Sequence, residues 1–346
     1  MKEKDFFAIL NESARETNIL NYEYMRSWLM MKVIDTHCDA LLRLQLAKNG
    51  GAYGRQPIDF RTSNEVETSL KRLQQGNVVA QFFAIFIDPD VPSDQTWQAA
   101  LEQVDLFYTE ILGKNKEMKH IQKWEDLNTL KEGEIGAVLT LEGADAFGND
   151  LMKLRMLYRL GVLSMGITWN NPNLCADGAG ESRGGGLTDF GKEVVKLNNE
   201  QRVFTDVAHS TVKGFWDILE HSDYPIASHS NARAKCEHVR NLYDDQVKAM
   251  FAKNGLIQVV FNPPFINEGK REATLKDLLV HIDHLCALGG EKLIGFGSDF
   301  DGIASYVDTL EHAGQFPNLI NELLKHYSED QVRGFASENF LNNLPK

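Results

Sequence analysis

The chain of 346 residues has 49 acidic and 36 basic side chains, and its net charge of -13, with no basic stripe, argues against a nucleic acid partner. With 43% hydrophobic residues and a mean hydropathy of -0.32, the composition is typical of a soluble globular protein, either one large barrel or two smaller domains. No apolar stretch approaches the roughly 20 residues of a membrane span, so no membrane partner is expected.

The first 31 residues differ in pattern from the rest. Apolar side chains such as Phe6, Ile9, Leu20 and Trp28 recur with a loosely helical spacing, which predicts an N-terminal helical extension over residues 1–31. A helix packed on the following domain is favoured over a lid or an oligomer contact. The FFAIL run in this segment is flanked by acids and is too short for a signal peptide.

From Lys32 onward, short apolar runs alternate with helix-like stretches. Parallel strands covered by helices have this pattern, and eight such units close into a (β/α)8 TIM barrel, predicted here as one domain over residues 32–346. The eight runs are Val33 to Thr36, Val78 to Ile87, Ile135 to Leu141, Val162 to Thr168, Val203 to Ala208, Pro225 to Ser228, Leu256 to Phe261 and Leu293 to Gly297.

The stretch from Thr274 to Gly289 illustrates the helices between the runs. Thr274 and Asp277 resemble a capping box, the leucines that follow form one apolar face, and Gly289 is placed to end the helix. His281 and His284 lie away from that apolar face, so they are predicted to be solvated or locally hydrogen-bonded and not metal ligands.

The four cysteines are scattered along the chain without CxxC spacing, at Cys38, Cys175, Cys236 and Cys286. A chain of this length needs no disulfide framework, so the cysteines suggest a reducing compartment. The predicted location is cytoplasmic.

Candidate metal ligands follow the ends of several apolar runs. In a barrel, all of these ends open on one face, where residues distant in sequence converge. Imidazole and carboxylate groups suit a borderline-soft divalent ion such as zinc, and their number exceeds what one tetrahedral ion needs. The pattern therefore predicts a two-metal hydrolase with the ligands His37, Asp39, Glu142, His209, His229 and Asp299.

These stretches resemble the membrane dipeptidase family, also called renal dipeptidases, of the amidohydrolase superfamily. The resemblance runs from about residue 32 to the C-terminus and is carried by IDTHCDAL, LEGADAF, GGGLTDFGKEVVKLNN, DVAHST, SHSNARAKCEHVRN, GFGSDFDG and SENFLNNL. It implies two Zn2+ ions per chain, with His37 and Asp39 on one, His209 and His229 on the other, and Glu142 bridging both.

The mechanism expected for such a site is hydrolysis by a metal-bridging hydroxide. Zinc lowers the pKa of bound water to about 7, and it polarises a carbonyl oxygen. The resemblance assigns the general acid and base role to Asp299, with Glu142 as the second catalytic residue.

The resemblance also assigns the substrate carboxylate to Arg240, whose planar guanidinium fits a carboxylate through two parallel hydrogen bonds. Arg233 is a nearby rival that the resemblance makes a structural residue. A carboxylate one residue beyond the scissile bond defines a dipeptidase, so a small dipeptide is the expected substrate, and L,D-dipeptides are included because renal dipeptidase relatives accept a C-terminal D-residue.

The sequence departs from the mammalian pattern after the fourth run. Those relatives carry a histidine that contacts the substrate oxyanion, whereas Trp169 stands at that position, followed by Asn170 and Asn171. Trp169 is expected to line the substrate pocket, and an amide such as that of Asn170 to supply the hydrogen bond. The glycine-rich loop from Gly178 to Gly186 lacks the ending of a P-loop, so a rim loop or lid is expected there.

The sequence thus predicts a zinc-dependent metallo-dipeptidase, and the resemblance is consistent with a homodimer. Another amidohydrolase activity, on N-acyl amino acids or lactones, is the alternative, because the same metal site serves several reactions. A non-catalytic binding protein is disfavoured because all six ligand positions are intact.

Overall fold

The computed structural model describes residues 31–50, 56–269 and 272–346. Met31, the last residue of the predicted helical extension, is buried at the entrance to the first strand, and the rest of that extension lies outside the described residues. The division of the chain into residues 1–31 and 32–346 therefore stays a prediction.

Eight parallel strands close into the predicted (β/α)8 barrel, and each contains at least half of one apolar run. Within the described residues there are nine strands in all: β1 Val33–Asp35, β2 Val78–Phe86, β3 Met118–Ile121, β4 Ile135–Glu142, β5 Val162–Gly166, β6 Phe204–Asp206, β7 Pro225–Ala227, β8 Leu256–Val259 and β9 Ile294–Phe296. The barrel closes where Asp35 of β1 pairs with Phe296 of β9.

The ninth strand, β3, was not predicted. It pairs with the first half of β4 (Met118 with Ile135, Ile121 with Val138), while β5 pairs with the second half of β4. The direct pairing of β2 with β4 keeps the barrel closed, so β3 is an additional edge strand. Its two middle side chains are only partly buried, so this position does not require apolar residues there. The sequence MKHI therefore lacks the continuous apolar run that marks the other strands.

Helices cover the outside of the barrel. The described α-helices are α1 Ala40–Lys48, α2 Leu70–Gln75, α3 Thr96–Leu106, α4 Leu151–Arg159, α5 Asp189–Gln201, α6 Val212–His221, α7 Asp244–Ala252, α8 Leu275–Ala287, α9 Phe316–Leu323, α10 Glu329–Arg333 and α11 Asn339–Asn342. Short 3-10 or π turns extend or join several of them.

The side chains of β4 show how the strands aim residues into the barrel. Leu139 and Leu141 belong to the large core cluster that also contains the helices, whereas Val138 belongs to a smaller cluster with residues of the other strands. Successive side chains of a strand point to opposite faces, so Thr140 and Glu142 share the face of Val138. Burial of each leucine stabilises the barrel by about 1.5 to 3 kcal/mol and fixes the direction of Glu142.

Helix α8 confirms the predicted capping box and corrects the environment of one histidine. Thr274 Oγ1 accepts from the backbone N–H of Asp277, and the Asp277 carboxylate accepts from that of Thr274. His281 is buried, not solvated: its Nδ1 accepts from the backbone N–H of Ala232, and its Nε2 donates to the carbonyl of Ile266. His284 pairs with Asp244 at 2.8 Å. Neither histidine belongs to a group of potential metal ligands in the described part of the chain.

Across the described parts of the chain, no helix is both long and apolar enough to cross a lipid bilayer. All four cysteines are free thiols, and Cys38, Cys175 and Cys236 are buried.

Candidate metal centre

The six predicted ligands meet at the mouth of the barrel. Glu142 ends β4, and the others lie in the segments that follow β1, β6, β7 and β9, namely His37 and Asp39, His209, His229 and Asp299. His37 and Asp39 lie beyond the first strand and not on it, because β1 ends at Asp35 and Asp39 occupies the N-cap position of α1. Two of the six residues, His209 and Asp299, reach the mouth through left-handed backbone, with a φ of 64° at each.

One oxygen of Glu142 faces two imidazole rings. Glu142 Oε1 lies 2.9 Å from His209 Nε2 and 3.7 Å from His229 Nε2, and these two nitrogens are 2.9 Å apart. The Nδ1 atom of His209 lies 2.8 Å from Asn170 Oδ1, an oxygen that can only accept a hydrogen bond. The proton of His209 therefore sits on Nδ1, and its bare Nε2 faces the carboxylate.

The other oxygen of Glu142 faces a second set of groups. His37 Nε2 lies 3.7 Å from Glu142 Oε2, 3.5 Å from Asp39 Oδ2 and 3.8 Å from Asp299 Oδ1. These distances are too long for good hydrogen bonds, and both His37 Nε2 and Asp39 Oδ1 are buried without a hydrogen-bond partner. Glu142 thus stands between two groups of ligand atoms and presents a different oxygen to each.

The charges in the cluster fit a cation. Burial raises the pKa of Glu142 well above its usual range, and the neighbouring Asp39 raises it further. Burial alone would lower the pKa of His37, but Glu142, Asp39 and Asp299 outweigh it and raise that pKa to about 10. Two buried carboxyl groups, Asp39 and Glu142, with the 13% exposed Asp299 beside them, are unfavourable unless a positive charge lies among them.

The two other histidines are held in the neutral form in which imidazole binds a metal. Burial, with the positive charge of Arg240, keeps the pKa of His209 well below its usual range. Burial and the charge of His37 have the same effect on the pKa of His229. Neutral imidazole and carboxylate oxygen together are the donor set that zinc takes in catalytic sites.

Asp299 has the surroundings that a general acid or base needs. Its side chain is 13% exposed, more than those of His37, Asp39, Glu142, His209 and His229, so it borders the open mouth. Burial and the charge of Asp39 raise its pKa to about 7, against the opposing effect of His37 and Arg240. A carboxyl group that titrates near neutrality can both accept and return a proton.

Comparison with known proteins identifies the family. The model of the membrane dipeptidase family, peptidase family M19, matches residues 27–346. The chain belongs to the membrane dipeptidase family. An uncharacterized dipeptidase of Schizosaccharomyces pombe is 31% identical over 332 residues, which cover 90% of this chain and 79% of the yeast protein. The predictions of the family and of a metallo-dipeptidase are confirmed.

Solved structures agree with this membrane dipeptidase family fold. A metallopeptidase of Rhodobacter sphaeroides, solved with a phosphinate mimic of the dipeptide L-Ala-D-Ala, is 27% identical and superposes with a TM-score of 0.82 over 90% of this chain and 98% of its own. A metallopeptidase of the same family, dipeptidase AC, is 27% identical with a TM-score of 0.81, over 90% of this chain and 97% of its own. The predicted TIM barrel is confirmed.

The two candidate arginines of this dipeptidase differ in how they are used. Arg233 pairs with Glu237 at 2.6 Å, and its guanidinium lies 4.3 Å from the ring centre of Tyr243. Arg240 is buried, its Nε has no hydrogen-bond partner, and its Nη2 makes only a 3.5 Å contact with the carbonyl of His229. Arg240 therefore has donors available for a ligand, whereas Arg233 is already engaged.

The segment after β5 packs against His209. The ring of Trp169 lies 5.9 Å from that of His209 and 5.3 Å from that of Phe86. Because the Asn170 oxygen receives the proton of His209, Asn170 orients a predicted metal ligand in this dipeptidase. The prediction that Trp169 and Asn170 contact substrate stays a prediction.

The glycine-rich loop is anchored beside the same segment. Asp177 accepts hydrogen bonds from Arg183 and from the backbone N–H of Gly185, so the loop folds back on its own carboxylate. The backbone N–H of Ala179 donates to the carbonyl of His209 at 2.7 Å. The loop thus lies on the rim of the barrel mouth, as expected, and its closure as a lid stays a prediction.

Sequence analysis missed the hydrogen-bonding groups that support the predicted ligands. Asp35 accepts from the backbone N–H and the hydroxyl of Ser298, and Asp206 accepts from the backbone N–H and the hydroxyl of Ser228. Each pair joins neighbouring strand ends across the sheet. The available signal was an aspartate two or three residues before a candidate ligand, in DTH and DVAH.

Asp301, a neighbour of Asp299 in sequence, has a structural role. Its carboxylate accepts from the backbone N–H groups of Glu67 and Thr68 and from the Thr68 hydroxyl, and it is buried. Gly302, which follows, leaves room for the ligands, because a Cβ there would lie 2.1 Å from an Asp39 carboxylate oxygen.

Proposed function

We propose that the protein is a zinc-dependent dipeptidase that hydrolyses the peptide bond of dipeptides with a free C-terminal carboxylate, L,D-dipeptides included. The observation that carries this proposal is the division of the candidate ligands between the two oxygens of Glu142, together with the buried guanidinium of Arg240, whose Nε has no hydrogen-bond partner. The solved relative bound to an L-Ala-D-Ala mimic supports the choice of L,D-dipeptides.

The ligand sets assign the residues to two ions. His37 and Asp39 would hold one Zn2+, with Asp299 at its edge, and His209 and His229 would hold the other, while Glu142 would contribute one oxygen to each. Two zinc ions supply an activated water and a Lewis acid for the scissile carbonyl. The grouping of His37, Asp39 and Asp299 and the buried acceptors without partners support the first set. The distances of 2.9 and 3.7 Å from Glu142 Oε1 to the Nε2 atoms of His209 and His229 support the second.

The chain's own groups would then perform the proton transfer and the substrate binding. Asp299 would accept the proton of the attacking water and deliver it to the leaving amine, for which its more exposed place at the mouth is suited. Arg240 receives the C-terminal carboxylate with two donors, which sets the distance from that carboxylate to the cleaved bond. Trp169 is proposed to line the side-chain pocket.

Metal removal tests the centre itself. The purified protein is expected to contain about two zinc ions per chain, and chelation should abolish cleavage of L,L- and L,D-dipeptides, with recovery when zinc is returned. Metal analysis and peptide hydrolysis are measured on the same samples. A protein with no bound metal and unchanged turnover after chelation would contradict the zinc proposal.

Substitution of Arg240 tests the length-limiting contact. Arg240→Ala should raise KM for dipeptides by about 10- to 100-fold, because a charged hydrogen-bonded contact is lost. Arg240→Lys should recover part of this loss, since it keeps the charge without the planar pair of donors. Zinc content is measured for each variant to separate carboxylate binding from metal loss.

Arg233→Ala is the matched control, because Arg233 is engaged with Glu237 and Tyr243. It should leave KM near the wild-type value. An effect on KM in Arg233→Ala but not in Arg240→Ala would move the anchor to Arg233.

Arg240 would also accept an N-acyl amino acid, which ends in the same carboxylate, so this activity is kept as the second candidate. A panel of dipeptides, tripeptides, dipeptide amides, N-acetyl amino acids and lactones distinguishes the two. Cleavage confined to dipeptides supports the proposal, whereas activity only on acylated amino acids or lactones would keep the metal site and replace the substrate. A cytoplasmic location and a homodimer stay predictions.

A further inference from the structure

A chain of buried hydrogen bonds runs from Asp206 through Ser228 to His229. Asp206 Oδ1 accepts from the backbone N–H groups of Ala208 and Ser228, both at 2.9 Å, and its Oδ2 is hydrogen-bonded to the Ser228 hydroxyl. Ser228 Oγ in turn lies 2.7 Å from His229 Nδ1. Asp206, Ser228 and His229 are 6%, 3% and 1% exposed, so water has little access to these bonds.

The direction of these bonds follows from counting protons. A carboxylate only accepts, so the single hydroxyl proton of Ser228 points to Asp206. The serine oxygen then offers a lone pair to His229 Nδ1, which must carry a proton. The opposite ring nitrogen, Nε2, is left bare, and it faces His209 Nε2 at 2.9 Å and Glu142 Oε1 at 3.7 Å.

We propose that Asp206 and Ser228 are positioning residues that fix His229 in its metal-binding tautomer, an inference that rests on the proposed zinc site. They touch neither the substrate nor the metal and act through His229. Asn170 fixes the tautomer of His209 through one direct hydrogen bond. The tautomers of the two rings are therefore fixed in different ways, one by a direct contact and one through a chain of two residues. The hydrogen-bond chain from Asp206 differs from the Asn170 contact in one respect: the donors and acceptors along the chain can exchange roles.

Asp206→Asn is expected to reverse the donor and acceptor roles in the hydrogen bonds between residue 206, Ser228 and His229. The amide oxygen must take the place of Oδ1, because two backbone N–H groups point there, and this puts the amide NH2 against Ser228 Oγ. Ser228 would then donate its own proton to His229 Nδ1. The ring proton would move to Nε2, where it blocks the lone pair that a zinc ion needs.

This reversal predicts an order of zinc affinities among the variants. Loss of a hydrogen bond alone would not produce that order. Ser228→Ala removes the relay and leaves His229 free to adopt either tautomer, so zinc binding at that site should weaken by about 10-fold. Asp206→Asn enforces the wrong tautomer and should weaken it by about 100-fold or more. The double variant Asp206→Asn/Ser228→Ala should bind zinc more tightly than Asp206→Asn alone, because the donor that enforces the wrong tautomer is gone.

The test measures zinc dissociation constants of the two sites by chelator competition, on the full chain, with the thermal unfolding midpoint of each variant. Ser230→Ala is the control, since Ser230 is a buried neighbour whose hydroxyl has no hydrogen-bond partner. It should leave both zinc affinities unchanged. Only one of the two sites should weaken in the relay variants.

The outcomes separate the relay from the proposed function. A wild-type protein that binds no zinc would overturn both. Two zinc ions in the wild type, with a double variant that binds them no better than Asp206→Asn, would overturn the relay alone. If Asp206→Asn fails to fold, the comparison of Ser228→Ala with Ser230→Ala decides, and equal zinc affinities in these two variants would overturn the relay.

Discussion

Replacement of Asp299 by Asn should lower kcat for dipeptides by about 10²- to 10⁴-fold, the range that general acid and base catalysis contributes. Asparagine has the same shape but cannot take the proton of the attacking water or return it to the leaving amine. The fold should be unaffected, because asparagine tolerates the left-handed backbone found at this position, where φ is 64°. KM should change little, since the carboxylate anchor at Arg240 is intact.

Zinc must be kept saturating in this experiment, because Asp299 also borders the His37 and Asp39 ligands. Metal analysis then shows whether lost turnover reflects proton transfer or an empty site. Asp308→Asn, an exposed carboxylate in the segment after β9, is the control and should retain full activity. Near-normal turnover in Asp299→Asn with both metals bound would remove Asp299 from the proposed mechanism.

Much of the site could be predicted because barrel strands are short, buried and parallel. Glu142 ends a continuous buried strand, so its position in the mouth follows from strand alternation once the barrel is predicted. His37, His209, His229 and Asp299 follow shorter strands, and their convergence follows from the same geometry. The ends of the apolar runs and the residue types found there were therefore sufficient to predict which side chains converge at the mouth.

The parts that could not be predicted depend on loop conformation and long-range packing. The left-handed φ of His209 and Asp299 aims both side chains into the mouth, and no glycine or local pattern marks those positions. The edge strand β3 has only partly buried middle residues, so it lacks the apolar run that revealed the others. His281 was predicted to be solvated or locally hydrogen-bonded, but it is buried and its hydrogen-bond partners, Ala232 and Ile266, lie in other segments.

Glu142→Gln is expected to remove zinc from the centre and to lower activity by at least about 10³-fold. Glutamine keeps the volume and the strand end, but its amide nitrogen is a donor and cannot serve as a ligand. Each oxygen of Glu142 faces a different group of candidate ligand atoms: Oε1 lies 2.9 Å from His209 Nε2, and Oε2 lies 3.7 Å from His37 Nε2. One substitution should therefore weaken the binding of both zinc ions.

Stability measurements distinguish a bridging ligand from a residue that only supports the fold. Zinc at about 1,000 times its dissociation constant should stabilise the wild type by about 4 kcal/mol per site, and this stabilisation should largely disappear in Glu142→Gln. The metal-free variant should be at least as stable as the metal-free wild type, because burial and Asp39 raise the pKa of Glu142 and disfavour its charge.

Glu134→Gln, which removes a carboxylate just before the other end of β4, is the control and should bind both ions normally. Two zinc ions held at wild-type affinity by Glu142→Gln would show that Glu142 does not bridge. A metal-free variant much less stable than the metal-free wild type would instead indicate a structural role for this carboxylate, because loss of a bridging ligand removes only the stability that zinc adds.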